Sequence, residues 1–259
     1  MLDLYNYSLP TIFLTALAAI LAAIETGRRL GARAGDRSDD NVPTLEGAVI
    51  GLLALIVGFT FAMALARFEA RRDAVLVEAN AIGTTALRAR LLPEPHREEV
   101  LGLLRGYVKI RLDLTQSQAT QADLAAAVEK SKVIQERLWQ QAMAMAASDS
   151  GMVPTGLFIQ TLNEMIDDQA KHLAALRSHV PNMVQLALFG VAIIAIGFAG
   201  YASGLKARQR SRVPVYIMGF LICAVILLIL DLDRPGAGLI EVSQQPMIDT
   251  AANIAAFPE

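Results

Sequence analysis

The sequence is poor in charge. Asp, Glu, Lys and Arg make up 19% of its 259 residues, whereas about a quarter is usual in a soluble domain. The net charge is −2 and the pI is near 6.0, so the strongly basic balance typical of nucleic-acid-binding proteins is absent. We therefore expect no nucleic-acid partner.

Residues with catalytic chemistry are scarce as well. The single cysteine, Cys223, stands in an apolar block, where it cannot form an intrachain disulfide and is expected to serve packing. The sequence contains three histidines and lacks a phosphate-binding glycine loop, a nucleophile elbow and a zinc-protease motif. These absences argue against an enzyme and against a bound cofactor.

One set of polar residues has a spacing that is compatible with a metal-binding site. Glu164, Asp168 and His172 recur every four residues, so they share a helix face, and such a face can hold a divalent metal. The alternative is a solvated polar face opposite an apolar stripe. We favour the solvated face and expect no metal site.

Apolar residues, at 54%, are in excess and lie in blocks. A membrane-spanning helix needs about 20 of them, because it rises about 1.5 Å per residue across about 30 Å of hydrocarbon. The first block is short, so a buried or interfacial helix is its alternative interpretation. The four blocks are Leu9–Ile24, Gly47–Ala66, Met183–Ser203 and Val213–Leu230.

Between the second and third blocks the composition becomes that of a soluble helical protein, without strand periodicity. Prolines and caps divide it into helices expected at Phe68–Ala89, His96–Leu114, about Thr120 to Ala147, and Thr155–Val180. We predict an all-α integral membrane protein with four transmembrane helices and a helical domain between spans two and three. The predicted divisions are residues 1–66, 67–182 (the extramembrane domain), 183–230 and a C-terminal tail, 231–259.

Small residues mark faces on which membrane helices can approach closely. Gly200 and Gly204 have GxxxG spacing at the end of span three. This contact could lie within one subunit or between subunits. On span one the corresponding side consists of Thr15, Ala19, Ala22, Ala23 and Thr26.

Basic residues are concentrated in the two short loops, which lie on the same side of the membrane in a four-span protein. By the positive-inside rule these loops face the cytoplasm and the helical domain lies outside it. Arg67, Arg71 and Arg72, on the opposite side, oppose this inference. The loop residues are Arg28, Arg29, Arg33 and Arg37, and then Lys206, Arg208, Arg210 and Arg212.

Span two carries a stripe of small and apolar residues, spaced four apart along one helix face. An apolar stripe with an aromatic ring could form a pore constriction that water wets poorly, although ordinary helix packing is the commoner cause of such a stripe. Its members are Gly47, Gly51, Leu55, Phe59, Met63 and Arg67.

Several separated motifs resemble one family. The segment Gly58–Arg71 is similar to the second transmembrane helix of bestrophin anion channels, and the chain is more similar still to the bacterial bestrophin-like family of membrane proteins, which is uncharacterised. The motif residues are Arg67, Glu69, Arg71 and Asn80, and in the tail Asp231, Asp233, Arg234 and Pro235; the segments Glu78–Gly83 and Gly238–Ile240 also match.

The resemblance implies a homo-oligomer, a pentamer in bestrophins, that conducts chloride or other small anions across the cell's inner (plasma) membrane. The matching arginine places the pore neck at Gly51, Leu55 and Phe59, where Gly51 replaces a bulky residue and would widen the neck. The acidic calcium clasp of animal bestrophins is absent, so calcium gating is not implied. Bestrophins keep the interspan domain in the cytoplasm, against the loop charges. We favour the orientation that the loop charges give, and the bestrophin orientation stays open as the alternative.

The sequence thus supports two alternative hypotheses about function. The first is a bestrophin-like oligomer in the lipid bilayer, acting as an anion channel lined by span two. The alternative is a non-conducting membrane sensor or scaffold whose helical domain binds a partner.

Overall fold

The computed structural model describes residues 7–34, 41–116, 121–148, 153–205, 211–235 and 238–257. Within these ranges the regular structure is entirely helical, which confirms the all-α prediction. The eight helices are α1 (Leu9–Ala34), α2 (Val42–Ala89), α3 (His96–Gln116), α4 (Gln121–Ser148), α5 (Val153–Arg177), α6 (Asn182–Leu205), α7 (Val213–Asp233) and α8 (Gln245–Ala255).

Four helices, α1, α2, α6 and α7, contain the apolar blocks and are long and apolar enough to cross a membrane. The four predicted spans are therefore confirmed. α1 has 26 residues, longer than its apolar block, because the helix continues through Arg28, Arg29 and Arg33. α1 also contains an 18-residue stretch apolar enough to cross the hydrocarbon, so it qualifies as a span by length and composition.

The bounds of the helices predicted between spans two and three agree with the structure to within a few residues. α2 is continuous for 48 residues, about 72 Å at the helical rise, as expected from the absence of a break before Pro93. α5 ends at Arg177, three residues earlier than predicted. The helix α8 was not predicted.

The chain forms two compact units. Unit 1 comprises residues 1–67, 179–234 and 238–240, and unit 2 comprises residues 68–178, 235–237 and 241–259. α1, α6, α7 and the apolar part of α2 thus belong to unit 1.

In unit 1, glycines bring α1 and α6 into backbone contact. A Cβ atom on Gly200 would lie 2.5 Å from the carbonyl oxygen of Ile24, and one on Gly27 would overlap the carbonyl of Gly197. Gly204 faces Arg28 in the same way. Since residue numbers rise together along both helices, α1 and α6 run parallel, and their C-terminal ends lie at the same end of the unit. The Gly200 and Gly204 face therefore packs within one subunit.

Next to this contact lies the apolar core of unit 1, where α7 joins α1 and α6. Cys223 is buried in this cluster, as expected of a packing residue. Its members are Ile20, Ile24, Ile196, Ala199, Val215 and Cys223.

Unit 2 has a larger core, built from the predicted apolar faces of α3 and α5 together with α8. Leu104 and Tyr107 of α3, Phe158 and Leu162 of α5, and Ile254 of α8 are buried in one cluster. The C-terminal helix thus completes the core of unit 2.

Candidate functional site

The predicted pore residues lie on a face of α2 that the rest of the chain leaves uncovered. The side chains of Leu55 and Phe59 are 54% and 64% exposed. A Cβ atom on Gly51 would meet no atom within 4 Å. On the opposite side of the helix, Leu53 and Thr60 are buried. The sequence spacing therefore corresponds to a single exposed stripe.

This stripe is apolar over its whole membrane-crossing length. From Gly47 to Ala66 the sequence has no charged residue, and the first charges beyond it are Glu46 and Arg67. The hydroxyl of Thr60 donates to the carbonyl oxygen of Ile56 at 2.8 Å, so the helix satisfies its own polar group. Such a face suits lipid, a neighbouring subunit or a poorly wetted pore constriction. Pore lining by Gly51, Leu55 and Phe59 stays a prediction.

The family-motif residues in the next part of α2 differ in how far their side chains are exposed. Arg71 is only 2% exposed and Arg67 is half-buried, whereas Glu69 and Asn80 are exposed. The two arginines of this motif therefore pack within the chain, whereas Glu69 and Asn80 face outward.

Asp231, in the tail motif, holds the chain that follows α7. Its carboxylate accepts the backbone N–H of Leu239 at 2.8 Å and that of Ile240 at 3.1 Å. Gly238 passes so close that a Cβ atom there would overlap the Asp231 carboxylate. The spacing between Asp231 and Gly238 therefore has a structural cause.

Asp233 fixes the entry to α6. Its carboxylate is fully buried and accepts the backbone N–H of Val180 at 2.9 Å and the side-chain amide of Gln185 at 3.3 Å. Arg234, next in the chain, is also buried, and Pro235 is half-buried. These contacts give the tail motif a structural role at the C-terminal end of α7.

Unit 2 contains a buried ionic cluster. Glu78 of α2 is 0% exposed, and its carboxylate lies 2.8 Å from Nε of Arg111 and 2.5 Å from Nδ1 of His172. Nη2 of Arg111 donates to the same carboxylate at 2.9 Å. The cluster therefore joins α2, α3 and α5.

Tyr107 completes the shell around Glu78. Its hydroxyl donates to Glu78 Oε1 at 3.3 Å. Burial, reinforced by the negative charge of Glu78, raises the pKa of Tyr107 well above its usual range. Tyr107 is therefore a neutral hydrogen-bond donor at any pH that the protein meets.

The structure corrects the expected solvated face on α5. Glu164 is exposed, but Asp168 and His172 are 8% and 6% exposed, because the face turns into the unit and His172 pairs with Glu78. In the described part of the chain, no three His, Cys, Asp or Glu side chains are grouped to hold a metal. The only sign of the ionic cluster in the sequence is that Glu78 belongs to a segment that matches the family, Glu78–Gly83. The sequence does not predict a role for Glu78.

Comparisons with known proteins agree with this architecture. The family profile described as a bestrophin-like domain matches residues 12–247. A search of curated proteins gives no significant match.

Among solved structures, a bacterial bestrophin homolog from Klebsiella pneumoniae is similar with a TM-score of 0.69 and 13% identity, over 96% of this chain and 99% of that chain. A single-substitution variant of this homolog has a TM-score of 0.69 and 14% identity, over 95% and 97% of the two chains. A structure described as a membrane protein variant has a TM-score of 0.66 and 15% identity, over 96% and 99%. At these identities the similarity concerns the fold.

Proposed function

Because the chain belongs to the bestrophin-like family, we propose that it assembles into a homo-oligomeric anion channel in the cell's inner membrane. The observation that carries the proposal is the exposed stripe of Gly51, Leu55 and Phe59 on α2. A ring of such stripes around an axis would form a narrow apolar passage, with Phe59 as its most occluding group.

The exposure of α2 supports assembly with further copies. Only 17% of its most apolar 18-residue stretch is buried within the chain, compared with 22–39% for the other three candidate spans. Leu52, Leu55 and Phe59 are each at least half exposed. A helix with this little intrachain cover is suited to contacts with neighbouring subunits around a central axis.

The absence of carboxylates from the exposed stripe of α2 is compatible with an anion pathway. Cation channels place carboxylate rings in their pores, whereas the stripe from Gly51 to Phe59 has none. An uncharged constriction does not repel chloride. The passage of chloride then depends on how wide the constriction is and on whether water wets it.

The test is chloride flux into liposomes that contain the purified protein. We expect flux above that of empty liposomes made from the same lipid, at one or more of several pH values and voltages. Flux equal to that of empty liposomes under all of these conditions would contradict the channel proposal and favour the scaffold alternative.

A further inference from the structure

Unit 1 has an open, shallow apolar groove between α1 and α6, with a volume of about 570 Å³. The groove exists because the two backbones meet at Gly27 and Gly197, and small residues beside this contact leave space on the outer surface. We call it the α1–α6 groove. Its walls include Ala22, Thr26, Leu30, Ile194, Phe198 and Tyr201.

The polarity of the groove changes along its length. One end lies between Ala19 and Ile193, which are apolar. The only polar side chains in the lining, the hydroxyl-bearing Thr26 and Tyr201, lie toward the C-terminal ends of the two parallel helices. A tyrosine at such a position is typical of the membrane interface. One end of the groove therefore suits the hydrocarbon core of the membrane, and the other end suits the membrane interface.

Positive charge follows directly beyond the polar end. Thr26, Leu30 and Arg33 are spaced four and three residues apart, so Arg33 continues the groove-facing side of α1. Arg33 is exposed and has no ion-pair partner among the described residues, whereas Arg29 is paired with Glu25 at 2.8 Å.

We propose that the α1–α6 groove binds an anionic phospholipid, with an acyl chain along the apolar walls and the phosphate at Arg33. Apolar walls in two membrane spans suit a hydrocarbon chain, and basic residues at the membrane surface attract anionic headgroups. The alternative occupant is a helix from a second copy of the chain, and the experiment distinguishes the two.

The experiment is native mass spectrometry of the full-length protein from micelles that contain equal amounts of phosphatidylglycerol and phosphatidylcholine with identical acyl chains. The wild type should retain phosphatidylglycerol preferentially. Arg33→Gln should reduce this preference about fivefold, whereas Arg29→Gln, at the paired arginine, should reduce it less.

A second pair of variants tests the apolar walls. Ala22→Phe fills the groove and should lower the number of retained lipids of both kinds. Its matched control is Leu21→Phe, at an exposed neighbour on α1 that does not line the groove and should leave retention unchanged.

Three results would overturn the proposal. The first is equal retention of the two lipids by the wild type. The second is an Ala22→Phe protein that retains as much lipid as Leu21→Phe, or an Arg33→Gln protein that keeps the wild-type preference for phosphatidylglycerol; either one removes half of the proposed site. The third is loss of the oligomer in Ala22→Phe alone, which would assign the groove to a second copy of the chain.

Discussion

Glu78 of α2 is a fully buried carboxylate in unit 2, and its hydrogen-bond partners are side chains of two other helices, α3 and α5. Its partners Arg111 and His172 are also buried. Removing one member of such a pair leaves the other charge without compensation in the interior, which is far more costly than losing a surface pair. The cluster is therefore the most sensitive polar point of unit 2.

We predict that Glu78→Gln lowers the free energy of unfolding of unit 2 by about 3–5 kcal/mol. Tyr107→Phe, which removes one hydrogen bond from a neutral donor to the same carboxylate, should cost less, about 1.5–3 kcal/mol. The measurement is the unfolding of the full-length protein in detergent, followed by the fluorescence of Trp139, the only tryptophan, which packs against the core of unit 2.

The matched control is Glu99→Gln, which removes an exposed ion pair with Arg137 at 3.7 Å and should have a much smaller effect. Equal destabilisation by Glu78→Gln and Glu99→Gln would contradict an important role for the buried cluster.

Phe59 tests the pore at the residue scale. Its ring is 64% exposed, so Phe59→Ala leaves no cavity within the subunit and should preserve assembly. The wider constriction should increase chloride flux or relax selectivity, and Leu55→Ala should act in the same direction. The measurement is flux and oligomer size on the same samples.

Two outcomes would count against this account of Phe59. Intact assembly with unchanged flux in both variants would remove α2 from the pore. Loss of the oligomer without a gain in flux would identify Phe59 as a packing residue, whose truncation typically costs about 3–5 kcal/mol.

At the scale of elements, the α1–α6 contact depends on the absence of side chains. Gly200→Ala would place its Cβ 2.5 Å from the carbonyl oxygen of Ile24, so the two helices would have to separate. We expect a loss of about 1–3 kcal/mol, measured as a lower unfolding temperature of the protein in detergent.

Gly190→Ala, on the same helix, is the control, because its new Cβ would meet no atom within 4 Å. Alanine favours helix over glycine by up to about 1 kcal/mol, so this variant should be neutral or more stable. If Gly200→Ala were as stable as Gly190→Ala, the close α1–α6 contact would be refuted.

Apolar periodicity and proline positions were sufficient to predict most helices, because these signals are local. α1 was predicted too short, since apolar length marks the hydrocarbon and not the end of a helix that continues through Arg28 and Arg33. α8 was missed because it has only 11 residues, and its apolar Met247 and Ile254 acquire their partners only in the folded core.

In the candidate sites too, features that depend on neighbouring residues could be predicted, whereas contacts between residues far apart in the sequence could not. The exposed stripe of Leu55 and Phe59 follows from helical spacing alone. The burial of His172 depends on Glu78, which is 94 residues away in the sequence, so no local pattern distinguishes it from a solvated histidine.

At the scale of the whole molecule, orientation is a further prediction. Because α1 and α6 run parallel, their C-terminal ends lie at the same end of unit 1, as the loop charges require. By the positive-inside rule, a reporter inserted after Ser150, between α4 and α5, should be labelled from outside the cytoplasm. Labelling only after the inner membrane is permeabilised would reverse the assignment and place the helical domain in the cytoplasm, as in bestrophins.

The central claim is that copies of this chain surround a pore lined by α2. Images of single particles of the full-length protein in detergent test it most directly, because they show symmetry and the axis together. We predict a closed ring, with five subunits by family resemblance, and with Leu55 and Phe59 of every α2 facing the axis. A monomer, a dimer without a central axis, or a ring with α2 on its periphery would contradict the claim.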